Sequence, residues 1–421
     1  MPRQTDKASP MQDILILGAG PAGLTLALSL HQAGIPCRVY EQAPEIKAVG
    51  VGVNLLPHAV AELAKLGLLE ALRKVAVTTD EAQFFNRYGQ LIHAEKLGQG
   101  AGYPAPQLSI HRADLQDVLL AATRARLGPD AVHLGHRVTA VETQGTEAVV
   151  HFADGKPSAR GSAAIAADGV HSTVRKQFHP HETGFHYTGY NMWRGVTAWK
   201  PFLTGATMTR AGWLADGKMV IYPIRNNIDA EGRQLINWVA EVEWPNPIDR
   251  DWNRRGKLED FLPFFADWHF PWLDVPAMMQ AAEVVLEFPM VDQDPLPWWT
   301  QGLVTLMGDA AHPMVPRGSN GAGQSILDAV ALTKAFVSGG PVAGVLASYE
   351  AERRPATSAV VLQNRKAPPD ALLGEVYKRT GNKPFGRIED VISREELLAI
   401  TNGYKQVAGY TLEDVARRAA G

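Results

Sequence analysis

The sequence predicts an α/β protein: a Rossmann-like parallel sheet, an inserted, mainly antiparallel β-sheet, and a C-terminal helical segment. Three observations predict it. Short apolar runs alternate with amphipathic helical stretches near the N-terminus. A middle stretch rich in Trp, Phe and Tyr carries segments that alternate with a period of two. From about Gln324 the pattern turns helical.

The elements follow in order. Ile14–Leu17 reads as a buried strand, residues 21–33 as a helix ended by Gly34, and Cys37–Tyr40 as a second strand. Residues 163–167 and 303–307 are short apolar runs that each enter a Gly/Asp turn, as later strands of the same sheet would. Between residues 186 and 298, segments 219–223 and 235–242 alternate as strands with one covered face do. Residues 328–337 and 344–354 read as helices, and the charged stretch 366–421 as a helical appendage.

Bulk properties narrow the function classes. A chain of 421 residues has room for two or three lobes, and 46% hydrophobic with 20% charged residues is ordinary globular composition. A formal charge of −3 and the lack of a Lys/Arg run argue against nucleic acid or an anionic membrane as partner. Cys37 is the single cysteine, which excludes an internal disulfide framework and a Cys-based zinc or iron–sulfur site. No His/Cys/Asp cluster has metal-ligand spacing, so no metal is expected. Residues 1–10 are polar and no apolar run approaches the roughly 18 residues of a membrane span. The expectation is a cytoplasmic protein, monomeric or homodimeric, with no membrane partner.

One motif is specific. Gly18-Ala19-Gly20-Pro21-Ala22-Gly23 directly follows the first strand and opens a helix. One glycine makes the tight turn, the next admits a pyrophosphate to the backbone, and Gly23 allows close packing of helix on strand. Glu41 ends the second strand, where a carboxylate reaches a ribose hydroxyl. Two further motifs stand at the ends of the later strands, Ala167-Asp168-Gly169-Val170-His171-Ser172-Thr173-Val174-Arg175 and Gly308-Asp309-Ala310-Ala311-His312-Pro313. Acidic residues at strand C-termini face the crevice where such sheets bind ligands, and Asp309 suits the ribityl hydroxyls of a flavin. Either Asp alone also reads as a helix cap or turn residue. No second G-x-G-x-x-G and no G-x-S-x-G is present.

Together these motifs resemble the single-component FAD-dependent aromatic hydroxylases, the family with a p-hydroxybenzoate hydroxylase type of fold. The resemblance covers roughly residues 11–365. Phenazine hydroxylases look closest, through residues 191–196, residues 251–253 with 262–265, and residues 288–292. It implies FAD as cofactor, NADPH or NADH as transient electron donor, and O2 as co-substrate. The implied reaction is hydroxylation of a small aromatic or heteroaromatic compound, a phenazine or aromatic carboxylate among them, through a flavin C4a-hydroperoxide. An FAD-dependent reductase or oxidase without oxygen insertion, or a non-catalytic flavoprotein scaffold, stays open as an alternative.

The resemblance also assigns residues. Gly18, Gly20, Pro21, Ala22 and Gly23 would hold the FAD pyrophosphate, Glu41 the adenosine ribose, Val138 the adenine, Arg112 the phosphate and ribityl chain, and Asp309 the ribityl chain. Asp168 belongs to a motif linked to flavin and reduced nicotinamide, and Val53, Gly321 and Ala322 complete the cofactor set. After Pro316 the chain departs from the family's Gly-Gln-Gly, reading Arg317-Gly318-Ser319-Asn320. The substrate pocket is expected from Trp193, Arg194, Tyr222, Pro313 and Met314, with residues 50–54 near the flavin edge. Tyr222 would orient or deprotonate a ring hydroxyl, and Arg194 would attract a carboxylate. A Trp or Tyr on an alternating strand also packs a core, and His312 reads as structural. The expected division is an FAD-binding domain (11–75, 105–185, 299–365), a substrate-binding domain (76–104, 186–298) and the appendage 366–421.

Overall fold

The computed structural model describes residues 12–46, 50–246 and 254–420, so residues 251–253, which carry part of the resemblance, lie outside it. The first strand, β1 (Ile14–Leu17), is buried along its whole length, as a run of four large apolar side chains requires. It pairs in parallel with β2 (Cys37–Tyr40) on one side and with Ala163–Ala166 on the other. Val132–His133, Val304–Leu306 and an antiparallel edge, Thr300–Gln301, extend this to a six-stranded sheet. Helix α1 (Pro21–Gln32) links β1 to β2. Pro21 opens it where its missing N–H would be unpaired anyway, and Gly34, at φ +74°, ends it.

A second sheet has seven strands, in the order Val285–Asp292, His186–Trp199, Gln234–Glu243, Lys218–Arg225, Thr207–Gly212, Glu81–Phe85 and Leu91–Lys96. Its pairings are antiparallel except where Thr207–Gly212 meets Glu81–Phe85 in parallel. Residues 81–96 thus cross into the sheet built mainly from residues 186–292.

The alternation of this sheet decides the pocket. Side chains at successive positions point to opposite faces. Trp193, Met219, Ile221, Trp238 and Ala240 pack on one face with Phe261, Phe265 and Trp268 into an apolar core. Met192, Arg194, Val196, Val220, Tyr222, Ile224 and Val239 take the other face, as the strand register requires. Trp193 is completely buried and stacks on Phe261 at 5.2 Å between ring centroids. The expectation that Trp193 lines a pocket together with Arg194 is therefore corrected: adjacent residues of one strand cannot face the same pocket.

The C-terminal segment is helical, with Ala371–Thr380, Arg394–Val407 and Leu412–Ala420, and it is docked on the body. Leu372, Leu373, Val376 and Leu397 pack against Ala82, Phe84 and Ile92 of the seven-stranded sheet. Lys218, almost fully buried, pairs with Asp370 from this segment and with Glu241 at 2.8 Å. A buried lysine is tolerable only with such partners. No helix among the described residues is long and apolar enough to cross a membrane.

Candidate active site

A cavity of about 610 Å³ opens at the C-terminal end of the parallel sheet. It brings together Gly18, Gly20, Glu41, Arg112, Val138 and Asp168, residues from five separate segments of the chain. Gly18 sits at φ +112°, and a Cβ there would collide with the Ala167 carbonyl; one on Gly23 would strike the Gly18 carbonyl. Only glycine leaves this turn open, which is the cradle a pyrophosphate needs. Gly20 caps α1 without a side-chain bond, so the N–H groups of the first turn keep their capacity for an anion.

Glu41 holds the cradle in shape. Its carboxylate accepts from the backbone N–H of Ala19 at 2.8 Å and of Ala43 at 2.9 Å, and each oxygen keeps a lone pair for a ribose hydroxyl. Asp168 accepts from the Thr173 N–H at 2.9 Å through one oxygen, while its other oxygen is buried and unpartnered. Burial is the main cause that pushes the Asp168 carboxyl above its ordinary value. An orphaned carboxylate oxygen at the wall of the cavity calls for a hydroxyl or amide donor from a ligand.

The third motif packs beside the start of α1. Gly308-Asp309-Ala310 forms a short turn whose Gly308, at φ +61°, abuts Ala22. Asp309 is exposed beside the start of α1 and outside the 610 Å³ cavity. His312 turns inward, its Nε2 lying 2.6 Å from Asp328, which also accepts from Arg353 at 2.7 Å and from the Gly308 N–H at 3.0 Å. Burial pushes Asp328 up, but His312 and Arg353 prevail and hold it below its ordinary value. His312 thus braces the turn from within.

Two residues that shape the site were given no role by the sequence. Arg175 is buried and donates to the carbonyls of Ala310 (3.1 Å) and Ala311 (2.9 Å), tying the second motif to the third. Gln116 lies one helical turn beyond Arg112, lines the same cavity and donates to the Ala19 carbonyl at 2.9 Å. That i,i+4 spacing was a readable signal; the tie made by Arg175 had none.

The second half of the site lies where strand β3 (Gly52–Leu55) meets the seven-stranded sheet. The Gly52 carbonyl accepts from Arg194 at 2.9 Å and from the Tyr222 hydroxyl at 3.1 Å, and the Gly52 N–H donates to Asn237 at 2.7 Å. A Cβ on Gly52 would lie 2.7 Å from that of Asn237, so only glycine permits this approach. Arg194 and Tyr222 are therefore together, and both touch the strand that contains Val53. Burial raises Tyr222 above the usual phenol range, and Arg194 beside it offsets only part of that. The Tyr222 hydroxyl is spent as a donor to the Gly52 carbonyl. Met314 lies beside Gly321, at the start of the helix Gly321–Ser338 that includes Ala322, and buried Pro313 precedes it. The Arg317-Gly318-Ser319-Asn320 turn is braced from outside, with Asn320 donating to the Tyr404 hydroxyl at 3.0 Å.

With this geometry in view, similarity to known proteins is informative. Residues 11–255 and 290–364 match the FAD binding domain family. The chain is 41% identical to phenazine 1,6-dicarboxylic acid hydroxylase PhzS of Lysobacter antibioticus, over 94% of this chain and 97% of that one. It is 31% identical to 6-hydroxynicotinate 3-monooxygenase of Bordetella bronchiseptica, over 77% and 82%. The crystal structure of Klebsiella pneumoniae HpxO with FAD and uric acid superposes with a TM-score of 0.76 at 25% identity, covering 96% of this chain and 97% of that one. Glycine cradle, orphaned carboxylate and cavity fit an FAD, and the chain belongs to the FAD-dependent aromatic hydroxylases, monooxygenases that take their electrons from NAD(P)H.

Proposed function

We propose that the substrate is a planar, fused-ring aromatic carboxylate of the phenazine carboxylate kind, held on the face of the seven-stranded sheet that carries Arg194 and Tyr222, beside their contact with Gly52. The observation that carries this reading is the convergence of Arg194 and Tyr222 on the Gly52 carbonyl. It sets a cation and a phenol side by side against β3. Similarity to a phenazine dicarboxylate hydroxylase over nearly the full length supports the ring system.

In this reading Gly18, Gly20, Pro21, Ala22 and Gly23 receive the FAD pyrophosphate, Glu41 the ribose, and Val138 the adenine edge. Arg112, Asp168 and Asp309 serve the phosphates and ribityl chain, and Val53, Gly321 and Ala322 border the ring. When bound, the flavin supplies the electron transfer and oxygen activation. Tyr222 fixes the orientation of the substrate ring by a hydrogen bond at its hydroxyl oxygen. Arg194, with its Nε buried and unpartnered, attracts negative charge on that ring. Val220, Val239 and Met192 exclude water on the same face, with Pro313 and Met314 opposite. The three-part division (11–75, 105–185 and 299–365; 76–104 and 186–298; 366–421) then separates cofactor binding, substrate binding and a closing segment.

The test is stoichiometric. With phenazine-1-carboxylate or phenazine-1,6-dicarboxylate, NAD(P)H and oxygen should be consumed together and the product should be heavier by one oxygen atom. Hydrogen peroxide as the sole product from both acids would contradict the reading.

A further inference from the structure

The face that presents Arg194 and Tyr222 continues past them. Register places Arg194 opposite Val239, Val239 opposite Val220, and Val220 opposite Arg210. Arg210 therefore stands on the same face and the same rung as Arg194, three strands away, a separation of roughly 14 Å at about 4.8 Å per strand. Two valines lie between them. The rung is apolar between two guanidinium-bearing ends, with Val239 buried against Val315 and Val220 packed beside it.

Arg210 differs from the other cations around it. It forms no ion pair or hydrogen bond among the described residues, and its guanidinium lies 5.3 Å from the Phe84 ring centroid. It lines a small cavity next to Met208, which packs with Tyr222. The ionisable neighbours there are already paired, Lys405 with Glu95 at 2.6 Å and Lys96 with Glu81 at 3.2 Å. Arg210 is the cation of this cavity without a close ion-pair partner, and the buried Asp370 carboxylate faces it at longer range. The cavity measures about 40 Å³, room for a carboxylate with a water but not for an aromatic ring.

The far wall of the cavity comes from the C-terminal segment, through Pro369, Thr401 and Tyr410. That segment is fixed by the pairing of Lys218 with Asp370 and by Tyr404, which donates to Asn364 at 2.7 Å. Gly318, from the turn that departs from the family pattern, lines the cavity as well.

We propose that Arg210 and the C-terminal segment form an anion subsite that takes a carboxylate of the substrate at the end remote from Arg194, so that residues 366–421 act as a specificity element. This rests on the substrate reading above and deepens it: the preferred ligand carries its acid group across the apolar rung from the reacting ring. A charge-assisted contact of this kind favours the acid over its neutral amide by roughly tenfold or more.

The experiment titrates the FAD-loaded protein, by flavin absorbance, with phenazine-1-carboxylate, phenazine-1,6-dicarboxylate and the matching amides. Wild type, Arg210→Met, Arg210→Lys and Thr401→Met are compared, each first checked for flavin content and melting temperature. Wild type should prefer the acids. Arg210→Met should lose that preference for the dicarboxylate at unchanged amide affinity, and Arg210→Lys should keep most of it. Thr401→Met, which fills the cavity from the C-terminal side, should weaken the dicarboxylate most. An unchanged acid preference in Arg210→Met overturns the subsite while leaving the proposed function standing. Failure of the wild type to bind any of the four compounds overturns the proposed function itself. Competition by millimolar chloride or phosphate at constant ionic strength, equal for acid and amide, would mark a site for free anions and overturn the assignment to the substrate.

Discussion

The proposed cofactor cavity and the proposed substrate face are built on opposite principles. The cavity is made by backbone: glycines at positions where a Cβ would collide, a bare helix start and one carboxylate tied to two amides. The proposed substrate face is made by side chains at alternate positions of a sheet, Arg194, Arg210 and Tyr222 among valines. The backbone site tolerates almost no substitution at Gly18 or Gly23, whereas a side-chain face can be altered residue by residue with the fold intact. That contrast explains why one cofactor site can serve relatives named for different aromatic substrates.

Substitutions can break or sharpen this comparison. The largest effect is expected at Gly23→Val, which drives a side chain into the Gly18 carbonyl; flavin content after purification should fall below about a tenth of wild type. Next comes a neighbouring pair. Trp193→Ala should cost about 3–5 kcal/mol of stability by opening the Phe261 core, seen as a lower melting temperature, with substrate affinity kept in the folded fraction. Arg194→Met should show the reverse, a weaker acid affinity with a smaller change in melting.

Asp328→Asn should cost about 3 kcal/mol by leaving Arg353 buried without its partner. The folded carboxyl lies below its unfolded value, so its contribution is complete above about pH 4 and is lost as the pH falls through the folded pKa. Acid melts of wild type should therefore converge on those of the variant. Tyr222→Phe should reduce turnover or coupling up to roughly tenfold with little change in melting, since one buried hydrogen bond is lost. The smallest effect is expected at exposed Asp309→Ala, a several-fold weaker FAD retention on dilution.

The same contrast sets how much was legible in the sequence. The parallel sheet and the order of its first elements could be read because β1 is uniformly apolar and the glycine run has a specific mechanical meaning. Five distant segments that meet at the cavity were likewise announced by their strand-end acids and arginine. The substrate face was legible only in part. Period-two alternation was visible, but the phase of Trp193 against Arg194 mattered more than the richness in Trp, and aromatic content alone suggested the wrong face. Arg210 carried no motif, because its meaning comes from the register of four strands. The C-terminal segment looked like a charged appendage because its anchor, the Lys218–Asp370 pair, joins residues far apart in the chain.

The central proposal is that the Arg194–Tyr222 face recognises an aromatic acid and holds it beside the flavin, where its binding can be read in the flavin's reduction. Anaerobic stopped-flow reduction by NADH and NADPH, with and without phenazine-1-carboxylate, tests it most directly. The account predicts that the acid speeds flavin reduction markedly in the wild type and that Arg194→Met loses most of this stimulation while its flavin content is unchanged. Equal reduction rates with and without the acid, or full stimulation in Arg194→Met, would contradict it.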